Sequence, residues 1–327
     1  MTTVRASAGL GRRAVLVGAP LVVTGCGEKR PATSGARAAT TVSAPRAMQP
    51  DDYLSEGLDV VMRLDLERLR TVATSQALDP LRDPVGRRLR GGDEASLLDL
   101  LRLRARQVWI GSRGLPTEAE RLDAVLVAKG SFARFDPSSG SNDAWRKQLT
   151  GHPGYALFER TGAPRRSDPS FLAIINGETL VLATTLEAEG VRKRLEQRVA
   201  TGSPLAVPAD GLLGVRLRAA TLGRALAAYP HLAAVAQELD EVHASGDLDS
   251  GGALRLDVSL GAARDTGGTR IERVLKGWKD AFTSEPEGPL RLIAETTTVE
   301  RDGPRSVVLK LRATGDRTRQ LLTALIG

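Results

Sequence analysis

The stretch DLDSGG, residues 247–252, is where residue types and spacing in this chain first suggest chemistry. Ser250, between Asp249 and the pair Gly251–Gly252, has the setting of a serine nucleophile. That role needs a histidine within hydrogen-bond reach to take the proton and a carboxylate to orient the histidine. Asp247 and Asp249 would alternatively be the first oxygen ligands of a calcium loop. Such a loop also needs Asp or Asn at 251 and Glu at 258, where Gly251 and Val258 stand. A solvated turn before a strand accounts for the same residues, because Asp, Ser and Gly are turn formers.

Asp249-Ser250-Gly251-Gly252 resembles the nucleophile segment of trypsin-like serine proteases, with Leu248 where that family has glycine. None of His152, His231 and His243 sits in that family's histidine context. The three histidines form neither HxH nor HExxH, and a single cysteine excludes thiolate metal sites. GxSxG, GxGxxG and P-loop patterns are missing, and Gly91–Gly92 and Gly267–Gly268 read as loop glycines. No catalytic, cofactor-binding or metal-ligating set is therefore assigned. Arg102, Arg104 and Arg106 form the densest basic run. They read as the outer face of a helix whose Leu97, Leu98, Leu101 and Ala105 point inward, or as contacts for anionic lipid headgroups.

The one cysteine, Cys26, follows Arg5, Arg12 and Arg13 and the uncharged run AVLVGAPLVV (14–23). A basic n-region, a short apolar h-region and small residues before a cleavage point describe an export signal. Ten helical residues rise only about 15 Å, half a hydrocarbon core, so the run does not span a bilayer. Val23-Thr24-Gly25-Cys26 resembles the lipobox of bacterial lipoproteins, with Thr24 as its least typical position. The resemblance covers residues 1–26 and implies diacylglyceryl transfer to the Cys26 sulfur and cleavage after Gly25. A plain secretory signal and a buried first strand carrying Cys26 are the alternatives. The Arg12–Arg13 pair also resembles part of a twin-arginine signal.

The strand reading fits poorly with the composition of the adjoining segment. Residues 27–50 hold six Ala, three Pro, three Thr and three Arg, with Val42 and Met48 as their larger apolar side chains. So little apolar surface does not offset the entropy of ordering, and the segment reads as a flexible tether. The overall charge of +7 is concentrated here: residues 1–25 and 26–50 each carry +3, leaving +1 for the rest. A balanced body with 3% aromatic residues lacks the basic face and stacking surface of a nucleic-acid binder.

The elements that would position any site read twice. GLDVVMRLDLERLR (57–70) aligns with GLLGVRLRAATLGR (211–224), placing Arg63 opposite Arg216, Leu64 opposite Leu217 and Leu69 opposite Leu222. LDAVLVAKG (122–130) aligns with ALRLDVSLG (253–261), whose Leu254, Leu256, Val258 and Leu260 alternate with polar residues as in a half-wet strand. Trp145 aligns with Trp278, each expected on a short helix. Residues 171–197 parallel 291–325 as strand, turn, strand, helix. Asn176-Gly177 marks a tight hairpin and Asp302-Gly303 a looser one. Thr184 and Glu187 form a capping box for the following helix.

These readings predict an α+β protein of two similar halves, 51–200 and 207–327, each a mostly antiparallel sheet with helices packed on one face. A signal (1–25) and a lipidated tether (26–50) precede them. The expected function is a lipid-anchored cell-envelope protein with a non-catalytic binding or scaffolding role. Export to a bacterial membrane, facing the periplasm or exterior, follows from the lipid on Cys26. The expected partner is an envelope protein or lipid, not nucleic acid. The alternatives are an envelope hydrolase whose site is dispersed in sequence, and a carrier of lipid or a small apolar ligand between the halves. A cleft of convergent acid and base groups would favour the former; a large apolar cavity would favour the latter.

Overall fold

The computed structural model describes residues 48–55, 57–72, 100–114, 123–139, 144–150, 152–162, 168–197, 207–226, 232–284 and 288–326. Cys26, His231, Leu97, Leu98 and Gly91–Gly92 lie outside the described residues. In chain order the elements are β1 (Val60–Asp65), α1 (Leu66–Val72), β2 (Ala105–Arg113), β3 (Asp123–Gly130), β4 (Trp145–Gln148), β5 (Tyr155–Arg160), β6 (Pro169–Ile175) and β7 (Thr179–Thr184). They continue with α2 (Thr185–Gln197), β8 (Leu213–Arg218), α3 (Ala219–Leu226), α4 (Ala233–Glu238), β9 (Leu239–Leu248), β10 (Leu254–Ala262) and α5 (Gly267–Thr283). Last come α6 (Pro289–Thr296), β11 (Thr297–Arg301), β12 (Ser306–Ala313) and α7 (Asp316–Ile326).

All twelve strands join one antiparallel sheet in the order β11-β12-β10-β9-β8-β1-β2-β3-β7-β6-β5-β4. The two halves are therefore continuous through the β1–β8 pair, in which Val61 faces Arg216 and Arg63 faces Gly214. Two separate sheets were expected; the edge of β1 is instead completed by β8, so neither strand is left with an open row of backbone donors. Turn chemistry acts where the sequence puts it. Asn176 (φ 51°) and Gly177 (φ 69°) both take positive φ in the three-residue turn, 176–178, between β6 and β7. Gly303 (φ 96°) turns β11 into β12.

The sheet is covered unequally. In the first half, Val61, Val125, Val127, Phe171, Ala173 and Val181 meet Val191 and Leu195 of α2 and Leu54 and Leu58 of the segment preceding β1. On the opposite face, Ala128, Leu172, Ile174 and Leu180 pack against Leu100, Leu101, Phe132 and Trp145. Each such valine, leucine, isoleucine or phenylalanine contributes roughly 1.5–3 kcal/mol by leaving water. In the second half the helices cover that opposite face, where Val242, Leu260 and Val307 pack on Val235 of α4 and on Ile271 and Leu275 of α5; on the α2-facing side Val207 and Pro208 lie over Gly214. α1 shares this side, setting Leu69 and Val72 against Leu64, Leu248 and Leu254. α7 packs on α6, where Arg317 lies 3.8 Å from Glu295. Helices on a single face were expected of each half. The first half departs from this because its strands are apolar on both sides and both sides must be buried.

Two local expectations also change. Trp145 opens strand β4 and is buried, whereas Trp278 lies on α5, so the two tryptophans are not equivalent. Gly267 and Gly268 begin α5 rather than forming a loop. A Cβ on Gly268 would meet the Pro304 carbonyl oxygen at 2.4 Å, so glycine lets the helix start close under the β11–β12 turn.

Candidate functional site

The DLDSGG stretch is the turn between β9 and β10. Asp249 Oδ1 accepts the backbone N–H of Gly251 and of Ala253, both at 2.9 Å, and its carbonyl accepts Gly252 N–H at 3.0 Å. Asp247 Oδ2 accepts from Arg68 Nη2 at 2.7 Å, and its Oδ1 from Leu248 N–H at 2.8 Å. Both carboxylates are thus engaged in holding the turn and its strand. Ser250 lies at the tip, away from His243 in the middle of β9 and from His152, whose ring lies 5.9 Å from that of Tyr155 before β5. Among the described residues no three His, Cys, Asp or Glu side chains gather as a metal site.

What the fold does gather is a set of polar side chains on the α2-facing side of the second half. Cross-strand register aligns Arg216, His243 and Ser259 in one row, and Gly214, Ser245, Asp257 and Lys310 in the next. Strand alternation points all of them to the face that α2 covers in the first half. Arg216 Nη2 lies 2.5 Å from Glu241 Oε1, and His243 Nδ1 lies 3.9 Å from the same oxygen. Arg312 Nη2 lies 2.6 Å from Asp257 Oδ1, and Lys310 pairs with Glu300. Where β8 runs into α3 and α4 into β9, a cleft of about 560 Å³ is lined by Arg216, Arg218, Asp240 and Glu241, with Leu217 and Leu239 among its apolar walls.

Ser259 opposite His243, with Glu241 beyond, comes nearest to a nucleophile, base and orienting acid. No hydrogen bond joins Ser259 to His243, and Arg216 engages Glu241. The surrounding backbone N–H groups are committed to the β8–β9–β10 ladder, leaving no pair to hold an oxyanion. What these rows present is charge and hydrogen-bonding capacity on a half-exposed sheet face.

A second polar cluster lies under the start of α2. Glu187 is only 2% exposed; it accepts from Arg113 Nε at 2.5 Å and from the Ser55 hydroxyl. The Glu187 hydrogen bond raises the Arg113 pKa above its ordinary value, against an opposing effect of burial. The Thr184 hydroxyl meanwhile accepts Ala124 N–H at 3.0 Å. Both side chains of the expected capping box thus make tertiary contacts. Nearby Tyr53 is buried, and desolvation, helped by Tyr155 and Asp52, pushes its phenol up to about 12.

Arg63 and Arg216 each hold the fourth place of a six-residue strand and point to the same face, as their sequence alignment requires. Arg63 is buried, donating to Gly211 O at 3.3 Å, whereas Arg216 stands half-exposed at the cleft. Arg102, Arg104 and Arg106 are exposed while Leu101 and Ala105 are buried; the helix ends at Arg104, and Ala105 begins β2. Sequence reading found Glu187 only as a capping residue and missed Arg113 and Ser55, because their contacts with it span 74 and 132 residues, leaving no local spacing to find.

No protein-family model and no curated protein matches the sequence. The fold is similar to solved structures of TP0453. Crystal form III has a TM-score of 0.53 at 11% identity, covering 85% of this chain and 98% of that one. Form IV has a TM-score of 0.50 at 11% identity, covering 84% and 97%. At that identity the likeness speaks to fold alone.

Proposed function

We propose that the protein is an exported lipoprotein, acylated on Cys26, whose duplicated α+β body binds or scaffolds another component of the cell envelope. The partner surface is the polar face of the second half. The observation that carries this reading is the unequal covering of the sheet. One side of the first half is buried under α2 and under Met48, Tyr53, Leu54 and Leu58, while the matching side of the second presents half-exposed Arg216, His243, Asp257 and Lys310 beside an open cleft.

Duplication is supported by strand register. Adding 153 to Val60–Asp65 gives Leu213–Arg218, the whole of β8, and adding 134 to Ala105–Arg113 gives Leu239–Asp247 in β9. Adding 132 carries β3 onto Arg255–Ala262, and 127 carries β7 onto Ser306–Leu311. Under these offsets Asp65↔Gln107 becomes Arg218↔Glu241, and Ala183↔Val125 becomes Lys310↔Asp257, both pairs of the second half. Even the irregularity where Ala105 meets Gly130 maps onto the one where Leu239 meets Ala262. A bulge is a specific local feature, and its recurrence at equivalent residues favours common descent over generic α+β patterning.

Intact-mass analysis and membrane fractionation test the anchor. The mature chain is expected to begin at Cys26 with added diacylglyceryl mass, and Cys26→Ser to release it from membranes. A mature chain beginning elsewhere, or without lipid mass, refutes the reading. For the partner surface, a photo-crosslinker at Ser245 is expected to capture a discrete envelope component. Arg216→Glu with Lys310→Glu should abolish that product; its persistence would move the surface elsewhere.

A further inference from the structure

One end of the first half's strands combines cationic and apolar exposure. Following the pairs across the sheet, β2 begins at Ala105 opposite Gly130, the last residue of β3; Lys129 faces Thr179, the first of β7. Thr179 faces Ile175, the last of β6; Ile175 faces Tyr155, the first of β5; and β4 ends at Gln148 opposite Leu157. Leu103, just before β2, and Leu149, just after β4, therefore lie at the same end of the sheet. Five strand spacings separate them, roughly 24 Å.

Both leucines are exposed, Leu103 by 76% and Leu149 by 105%. Arg102, Arg104 and Arg106 flank Leu103, all three exposed and without an ion pair among the described residues. Lys129, Arg134 and Lys147 stand along the same rim with Glu178 and Asp136, and Lys147 is 4.0 Å from Asp136. Single exposed leucines need no explanation. Two of them at the tips of a cationic rim have the composition of a surface that meets lipid headgroups: apolar tips enter the acyl boundary while arginines pair with phosphate.

The chain also enters the body at this end. Met48 packs in the cluster containing Tyr155 and Leu157, and Arg194 donates to Asp52 O at 3.2 Å near the end of α2. The 22 residues from Cys26 to Met48 span at most roughly 75 Å. We infer that the rim formed by Arg102–Arg106, Lys129, Arg134 and Leu149 docks on the anionic headgroup surface of the membrane carrying the lipid anchor. This orientation rests on the lipoprotein reading. It leaves the polar face of the second half lateral to the bilayer, available to a partner.

Because the anchor consumes the single native thiol, an introduced cysteine can be labelled uniquely in the mature full-length lipoprotein. An environment-sensitive probe is placed by Leu103→Cys, Leu149→Cys, or Asp302→Cys in the β11–β12 turn at the opposite end. Proteins are reconstituted on phosphatidylcholine vesicles with and without about one-third phosphatidylglycerol. Probes at 103 and 149 are expected to be shielded from an aqueous quencher on the anionic vesicles only, and the probe at 302 on neither. Replacing Arg102, Arg104 and Arg106 by Gln, at roughly fivefold per cation, should lower the shielded-to-free ratio about a hundredfold. Equal quenching at all three sites, equal shielding on neutral vesicles, or shielding that survives the triple replacement overturns the inference. If intact mass shows Cys26 without lipid, the anchoring reading fails separately. The rim is then judged by co-sedimentation of the wild-type and triple-variant chains with the same vesicles, where equal binding overturns it.

Discussion

Replacing Glu187 by Ala should loosen the segment by which the chain enters the body. Glu187 receives Arg113 and Ser55, so its loss strands two donors in different circumstances. Ser55 is buried at 6% exposure, and a buried hydroxyl without an acceptor costs about 1–3 kcal/mol. The Arg113 side chain is 44% exposed and can return to water. Its lost pairing is therefore worth about 1 kcal/mol rather than the 3–5 kcal/mol of a fully buried pair. The sum, about 2–4 kcal/mol, corresponds to a fall in Tm of roughly 3–7 °C for a body of this size. Glu187→Gln keeps an acceptor oxygen and should fall between wild type and Ala. Ser55→Ala, which leaves the Arg113 pair intact, should cost about 1 kcal/mol. Hydrogen exchange should show backbone amides of residues 48–58 losing protection in Glu187→Ala before those of β3 and β7. A Tm change under about 2 °C, or uniform loss of protection, would mean that this carboxylate does not hold the segment.

Gly130→Ala should be among the most damaging small substitutions, at about 3 kcal/mol by denaturant unfolding, because its Cβ would lie 2.1 Å from the Arg104 carbonyl oxygen, and backbone cannot yield as a side chain does. Tyr53, held up to about 12 against its ordinary 10, contributes stability that is complete below pH 10 and lost as pH rises toward 12. Tyr53→Phe should therefore flatten the alkaline limb of a stability–pH curve; an unchanged limb would show that another group controls it. Asp249→Ala removes the acceptor of two backbone N–H groups in an exposed turn and should cost about 1 kcal/mol, while leaving any Ser245 crosslink intact.

The sequence spoke clearly where a local rule applied alone. Asn176-Gly177 had to turn because both positions need positive φ, and β10 could be read because one face is polar and the other apolar. Reading failed where two rules overlapped. Under the proposed duplication, the alignment of 122–130 with 253–261 is one residue out of the register that maps the β2–β3 pair onto β9–β10 and so carries β3 onto Arg255–Ala262. A slip of one residue exchanges the faces of a strand. β3 gave no warning, since Val125 and Val127 are buried on one side and Ala128 on the other, leaving no alternation to set the phase. Trp145 failed similarly: a short amphipathic segment satisfies a helix or an edge strand, and only pairing with Arg160 across β5 decides for the strand. Glu187 was visible as a capping residue by spacing, but its partners came from distant parts of the chain.

If the body is a duplicated unit, its function resides in the ways the copies differ. A symmetric pair about an axis between β1 and β8 would cover the same side of both halves with the helix that follows β7 or β12. α2 does so, whereas α7 turns to α6 instead, leaving charged rows where its counterpart buries Val125, Val127 and Val181. Those strands tolerate exposure because their outward positions are Arg216, His243, Asp257 and Lys310; the equivalents in the first half are mostly apolar. The second difference falls between β3 and β6, where the first half inserts β4 and β5 and the second inserts α5 and α6. The strand insertion extends the sheet to Leu149 at the cationic rim, and the helical one seals the far side of the second half against Val242 and Leu260. One copy is thereby equipped at its strand ends and the other on its sheet face, surfaces oriented roughly at right angles. A molecule held to a bilayer by the first can present the second along the membrane plane, the geometry required of a tethered protein that engages a neighbour in the same envelope.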